Sequence, residues 1–192
     1  MKQIPWLKKV RWTDVLFGIF LLLLILPQTR RSLQIGANKL KVLLWTPGIE
    51  KEADRAQVAP FKYSVRNQQG AYGQIPVAQG ELTFFSFWST WCPPCVAEMP
   101  SIASLYEDYG DRVNFILVTR ENPEKVNTFL EKRGWDVPVY FHTEAVPEVL
   151  KSGSLPTTYV IDGEGRILIK EIGAANWNSD KVRTLLDQHL AK

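Results

Sequence analysis

Cys92 and Cys95 are the residues of this chain best suited to do chemistry, and they are its only cysteines. Pro93 and Pro94 separate them, and the surrounding stretch from Phe84 to Pro100 reads as a buried strand, a short turn and the start of a helix. The aromatic-rich run Leu82 to Trp88, bounded by Gly80 and the proline pair, predicts the strand. Pro94 suits the first turn of a helix, where its missing N–H has no partner to lose. Ile102, Leu105, Tyr106 and Tyr109 then follow at helical spacing. Unpaired N–H groups and the positive end of the macrodipole favour a thiolate at such a helix start. The pKa of Cys92 is therefore expected below the ~8.5 of a free cysteine. Cys95, one turn on, is within reach to close a disulfide and open it again. Cys92, first at the exposed end, reads as the attacking thiol and Cys95 as the resolving thiol packed behind it.

Two other chemistries could use the same pair. Half a zinc site needs further cysteine or histidine ligands at suitable spacing. The two histidines, His142 and His189, lie far away in the sequence, so a copper- or zinc-binding chaperone would have to recruit His142. A purely structural disulfide would close only a four-residue loop, which removes little entropy from the unfolded chain.

The run Phe87-Trp88-Ser89-Thr90-Trp91-Cys92-Pro93-Pro94-Cys95, the Glu98-Met99-Pro100 after it, and Leu155-Pro156-Thr157-Thr158-Tyr159-Val160-Ile161-Asp162-Gly163-Glu164-Gly165 resemble the thioredoxin superfamily. More narrowly they resemble its membrane-anchored TlpA/ResA-type thiol–disulfide oxidoreductases. The resemblance covers residues 60–192 and rests on two motifs in the right order, about 60 residues apart. It implies a thioredoxin-like α/β fold: a central mixed sheet flanked by helices, with an N-terminal β-hairpin, a strand–helix insertion and one preceding transmembrane helix. It also implies a cis bond before Pro156, which would leave Leu155 free to pair with a substrate peptide opposite the disulfide. Trp91, Pro93, Pro94, Leu155 and Pro156 would then wall the substrate site. Ser86 stands where thioredoxin proper carries a buried acid, and the narrower family suggests Glu98 as its replacement, exchanging a proton at Cys95. The alternative for Glu98 is a solvated helix-start glutamate favoured by the dipole. The peroxiredoxin pattern Pro-x-x-x-Ser/Thr-x-x-Cys fits at Ser89 but fails at Phe85.

These implications add up to a protein-disulfide reductase that needs no soluble cofactor and no metal. Its clients would be extracytoplasmic proteins with disulfides or thiols, such as apocytochrome c. A membrane thiol–disulfide carrier would regenerate it, and a disulfide-forming oxidase is the reading in the opposite direction.

The elements that must position these residues follow from periodicity and turn chemistry. Phe61 to Arg66 and Gln74 to Val77, about Asn67-Gln68-Gln69-Gly70, predict an edge hairpin. The helix after Cys92 is expected to run to Tyr109, kinked at Pro100 and stopped by Gly110. Val113 to Thr119 is apolar enough for a buried parallel strand. Pro123 opens a helix to Arg133, ended by Gly134. Val137 to Phe141 reads as a strand and Val146 to Lys151 as a short helix. Thr157 to Ile161 and Arg166 to Ile172 flank a hairpin turn at Asp162-Gly163-Glu164-Gly165. Asn178 or Ser179 caps a last helix to Leu190.

The charge of the 192 residues is uneven. Residues 1–52 carry nine lysines and arginines against three acids, a net of +6, and the remainder carries 14 against 17, a net of −3. The basic character belongs to the N-terminal segment, which argues for a membrane surface and against nucleic acid. Val15 to Leu26 is unbroken apolar sequence behind Lys2, Lys8, Lys9 and Arg11, with Trp6 and Trp12 at the position of an interfacial belt. Its length suits a cleaved signal peptide, and the absence of a small-residue cleavage site at its end suits an uncleaved anchor. Residues 1–28 are read as that signal-anchor, 29–59 as a juxtamembrane linker or interfacial amphipathic helix, and 60–192 as the catalytic domain. The expected location is a bacterial inner membrane, with the catalytic domain in the periplasm.

Overall fold

Residues 11–143 and 145–191 are described by this computed structural model. In chain order they form helices α1 (Trp12–Ile25) and α2 (Pro27–Leu44), then strands β1 (Phe61–Asn67), β2 (Tyr72–Val77) and β3 (Thr83–Phe87). Next come α3 (Pro93–Tyr109), β4 (Asn114–Thr119), α4 (Pro123–Arg133), β5 (Val139–His142), β6 (Thr157–Ile161), β7 (Ile167–Ile172) and α5 (Asp180–Leu190). All seven strands join one mixed sheet in the order β2-β1-β5-β4-β3-β6-β7. β3, β4 and β5 are parallel to one another, and every other pairing is antiparallel. The fold is thioredoxin-like.

Side-chain alternation divides the core. Phe84, Phe115, Leu117, Val160 and Ile169 join a cluster with Met99, Ile102 and Leu105 of α3, Val126 and Leu130 of α4, and Val182, Leu185 and Leu186 of α5. Phe85, Ile116, Val118, Tyr159 and Ile161 join a second cluster with Tyr63, Val65, Val146 and Leu150. Neighbouring residues on β3 thus serve opposite faces, as period-two side chains must.

Most helix boundaries follow the sequence expectation, and one element does not. Helix α3 starts at Pro93 with Pro94 in its first turn, as expected, and Cys92 itself is the N-cap. It continues through Pro100, whose side is exposed, and the Ser101 hydroxyl donates to the Glu98 carbonyl at 2.7 Å. Gly110 ends it in right-handed conformation; a side chain there would meet the Tyr106 ring at 2.5 Å. The short helix expected over Val146–Lys151 is only a 3-10 turn, Glu148–Leu150, since a six-residue stretch with Pro147 as its N-cap offers too few hydrogen bonds to offset nucleation. Ser179, of the two possible caps, is the one used.

The segment before the catalytic domain is more ordered than a linker. The stretch expected as a polar spacer, Glu50 to Ala59, bonds through its backbone to the β6–β7 hairpin: Glu50 N–H to the Leu168 carbonyl, Ile167 N–H to Ala56, and Val58 N–H to Gly165, all at 2.8–2.9 Å. Helix α2 packs along α3, with Val42 buried against Ala97 and Ala174. Helix α1 is apolar and exposed but ends at Ile25, and α2 restarts at Pro27. Among the described residues no helix is long and apolar enough to cross a membrane. Lys2, Trp6, Lys8 and Lys9 lie outside the described residues.

Candidate active site

The sheet register brings the two motifs together. Phe87, the last residue of β3, pairs with Thr157, the first residue of the antiparallel β6. The cysteine turn that follows β3 and the Leu155-Pro156 bond that precedes β6 therefore leave the sheet at the same end. That bond is cis. Pro156 is buried, and Leu155 is half-buried against the cluster that contains both cysteines.

Cys92 and Cys95 are joined as a disulfide. Cys92 Sγ accepts a hydrogen bond from the Cys95 N–H at 3.3 Å, the N-cap contact of α3. A sulfur in this position faces the unpaired donors of the helix start, so a thiolate there is favoured over a thiol. Exposure separates the two cysteines less than the sequence suggests: Cys92 is 3% exposed and Cys95 fully buried. Pro93 and Pro94 are half-buried, and Trp91 is the exposed neighbour, at 58%. Trp91 and Leu155 line one cleft of about 480 Å³, shared with Phe87, Arg120, His142 and Val146.

Glu98 is not a solvated helix-start residue. It is 1% exposed, one turn beyond Cys95 on α3. Its Oε2 accepts from the Ala175 N–H at 3.1 Å and from the Trp177 indole N–H at 3.0 Å, while Oε1 is buried with no hydrogen-bond partner. Burial raises its pKa to about 8, against the opposing pull of the Trp177 and Ala175 hydrogen bonds. With both donors on Oε2, the proton of the neutral acid belongs on Oε1. Ser86, at the position of the missing acid, spends its hydroxyl on Thr158 across the β3–β6 pair, at 2.7 Å.

A second carboxylate supports the turn from the other side. Glu121 accepts from the Thr90 N–H, from the Thr90 hydroxyl at 2.8 Å, and from Lys125. Burial works against its charge, but the hydrogen bonds from Lys125 and from both Thr90 donors outweigh it and hold its carboxyl below the usual range. From α2, Arg31 donates to the Thr90 carbonyl at 2.6 Å. His142 is hydrogen-bonded to Tyr63 and to Arg120. Among the described residues no group of three or more His, Cys, Asp or Glu side chains could hold a metal ion, so His142 does not complete a site with the cysteines.

Residues 55–169 match the AhpC/TSA family. The chain belongs to that family. Sporulation thiol-disulfide oxidoreductase A of Bacillus subtilis is 26% identical over 153 residues, covering 76% of this chain and 91% of that protein. Thiol-disulfide oxidoreductase ResA of Geobacillus thermodenitrificans is 35% identical over 102 residues, 52% of this chain and 59% of that one. Among solved structures, StoA from Bacillus subtilis superposes with a TM-score of 0.51 at 23% identity, covering 70% of this chain and 98% of that one. A secreted thiol-disulfide isomerase from Corynebacterium glutamicum gives 0.56 at 18% identity, covering 76% and 90%. As a family member with these relatives, the chain is a thiol–disulfide oxidoreductase acting on client proteins that carry thiols or disulfides.

Four contributors to the site had no signal in the sequence. Trp177 and Ala175 sit in the loop before α5 and are carried by the fold to Glu98, and Glu121 and Arg31 look like ordinary surface charges until the fold carries them to Thr90. The Thr90 contacts lie 31 and 59 residues away along the chain, beyond any local pattern.

Proposed function

We propose that the protein is a membrane-tethered disulfide reductase of extracytoplasmic proteins. The observation that carries the thiol chemistry is the seat of Cys92 at the N-cap of α3, with its sulfur on the Cys95 N–H. In the reduced enzyme the Cys92 thiolate attacks one sulfur of a client disulfide, forms a mixed disulfide and expels the other client sulfur as a thiolate. Cys95 then loses its proton and attacks Cys92 Sγ. The client leaves with both cysteines reduced, and Cys92–Cys95 is oxidised. Glu98, one turn from Cys95 with a pKa near neutral, is suited to take the Cys95 proton. Trp91, Pro93, Pro94, Leu155 and Pro156 form the wall against which the client chain lies. The apolar α1, behind a basic N-terminal segment, supports tethering to a bacterial inner membrane with the catalytic domain in the periplasm. A membrane thiol–disulfide carrier would return two electrons per cycle. Apocytochrome c is a client of the right chemistry.

The direction is tested by the reduction potential of the Cys92–Cys95 pair, measured by equilibration against graded thiol buffers. A value near ~ −270 mV fits a reductant, and one near ~ −120 mV would assign the opposite, disulfide-forming role.

A further inference from the structure

We propose that α2 lies on an anionic lipid surface and holds the active-site turn at a fixed height above it. One side of α2 faces the catalytic domain: Val42 is buried against Ala97 and Ala174, Ile35 is half-buried, and Arg31 donates to the Thr90 carbonyl. The opposite side is a stripe of leucines. Leu40 lies nine positions from Arg31, Leu33 nine from Val42, and Leu44 nine from Ile35. At 3.6 residues per turn nine positions are two and a half turns, which places each leucine diametrically across the helix from a domain-facing residue. They are exposed accordingly: Leu33 52%, Leu40 61% and Leu44 81%.

Charge selects the occupant. Helix α2 carries four lysines and arginines and no acid. Arg31 is committed to Thr90 and Lys41 lies over the Trp45 ring, but Arg30 and Lys39 are exposed to either side of the leucine stripe. An apolar stripe between cations fits acyl chains between anionic headgroups. A second copy of this chain fits poorly, because a two-fold contact through the stripe sets the same cations against each other. The surface is also continuous with α1, whose apolar side chains are exposed through Leu23, as is Leu26 at the turn. Since Arg31 reaches Thr90 from the side opposite the stripe, the turn that carries Cys92 would stand about one helix diameter, roughly 10–12 Å, from the lipid.

The inference rests on the membrane reading above, and one experiment separates the two. The full chain is reconstituted in phosphatidylglycerol vesicles with a photoreactive residue placed singly at Leu21, Leu33, Leu40 or Asn38. Lipid adducts are expected at 21, 33 and 40, with position 38, on the domain-facing side, cross-linking within the chain. Replacing phosphatidylglycerol by phosphatidylcholine, or introducing R30E with K39E, should lower the adducts at 33 and 40 by about fivefold or more, the factor attached to one cation–lipid contact. Lipid adducts at 21 alone would overturn the docking of α2 and leave the tether standing; none at any position would overturn both. Chain-to-chain adducts at 33 and 40 would make the stripe a dimer interface instead, and adducts insensitive to headgroup charge would overturn the anionic preference.

Discussion

Two glutamates flank the cysteine turn, and the fold has driven them in opposite directions. Glu98, on α3, is sealed in the core with two neutral donors, and burial outweighs them and the charge of Lys41, so its pKa rises to about 8. Glu121, in the loop after β4, keeps a lysine and two Thr90 donors, and its pKa falls. One side of the site therefore holds a carboxylic acid that can exchange a proton near neutral pH, and the other a permanent carboxylate that grips the backbone. The residue type is the same; what differs is whether cationic and hydrogen-bonding partners offset the loss of water.

The largest effects belong to the cysteines between them. Cys92→Ser should abolish turnover, and Cys95→Ser should accumulate mixed disulfides with clients, seen as adducts on non-reducing gels. Equal trapping by both variants would remove the distinction between attacking and resolving thiols, and with it any reason for Glu98 to serve Cys95.

Glu98→Gln comes next. Because folding raises the Glu98 pKa from 4.5 to about 8, the folded chain keeps a proton that the unfolded chain has released between those values. Stability should thus fall as pH rises across that window, by about 1.4 kcal/mol per pH unit. Denaturant unfolding of the oxidised protein at several pH values should show this slope, and Glu98→Gln should flatten it. The same variant should flatten the pH profile of thiol exchange near pH 8; an unchanged profile would confine Glu98 to a structural role.

Trp177→Phe sharpens the contrast further. It removes a hydrogen bond that lowers the Glu98 pKa while keeping an aromatic ring in the core, so the carboxyl should titrate above its present value. Infrared difference spectra of the acid carbonyl across a pH series would read that shift, and a downward movement would contradict the assigned donor.

Glu121→Gln should have the smallest effect, about 2 kcal/mol of stability through weaker bonds to Thr90. The Lys125 bond, made by an exposed side chain, is weakened by solvent screening. Since the Glu121 pKa is lowered on folding, its contribution is present above the unfolded value of 4.5 and lost as pH falls through the folded value. The variant should therefore differ from the parent at neutral pH and converge with it in acid, as thermal melts at both pH values would show.

The sequence alone determined the cysteine pair, the strand–turn–helix that presents it, and most of the sheet. These are local matters: period-two and period-3.6 patterns, a proline at a helix start, glycine at α4's end. The positive backbone angle of Gly134, φ 64°, is the conformation that a glycine stop provides. Tertiary structure decided what pairs with what across the chain. Burial of Glu98 depends on Trp177, 79 residues away, and the grip on Thr90 depends on Glu121 and Arg31. Whether a glutamate three positions past a cysteine is solvated or sealed cannot be written in its own neighbourhood, because the desolvation comes from elements that reach it only when the sheet closes. The same holds for α2: its sequence permits either a linker or an amphipathic helix, and packing on α3 turns one side into a seam and leaves the leucines opposite facing out.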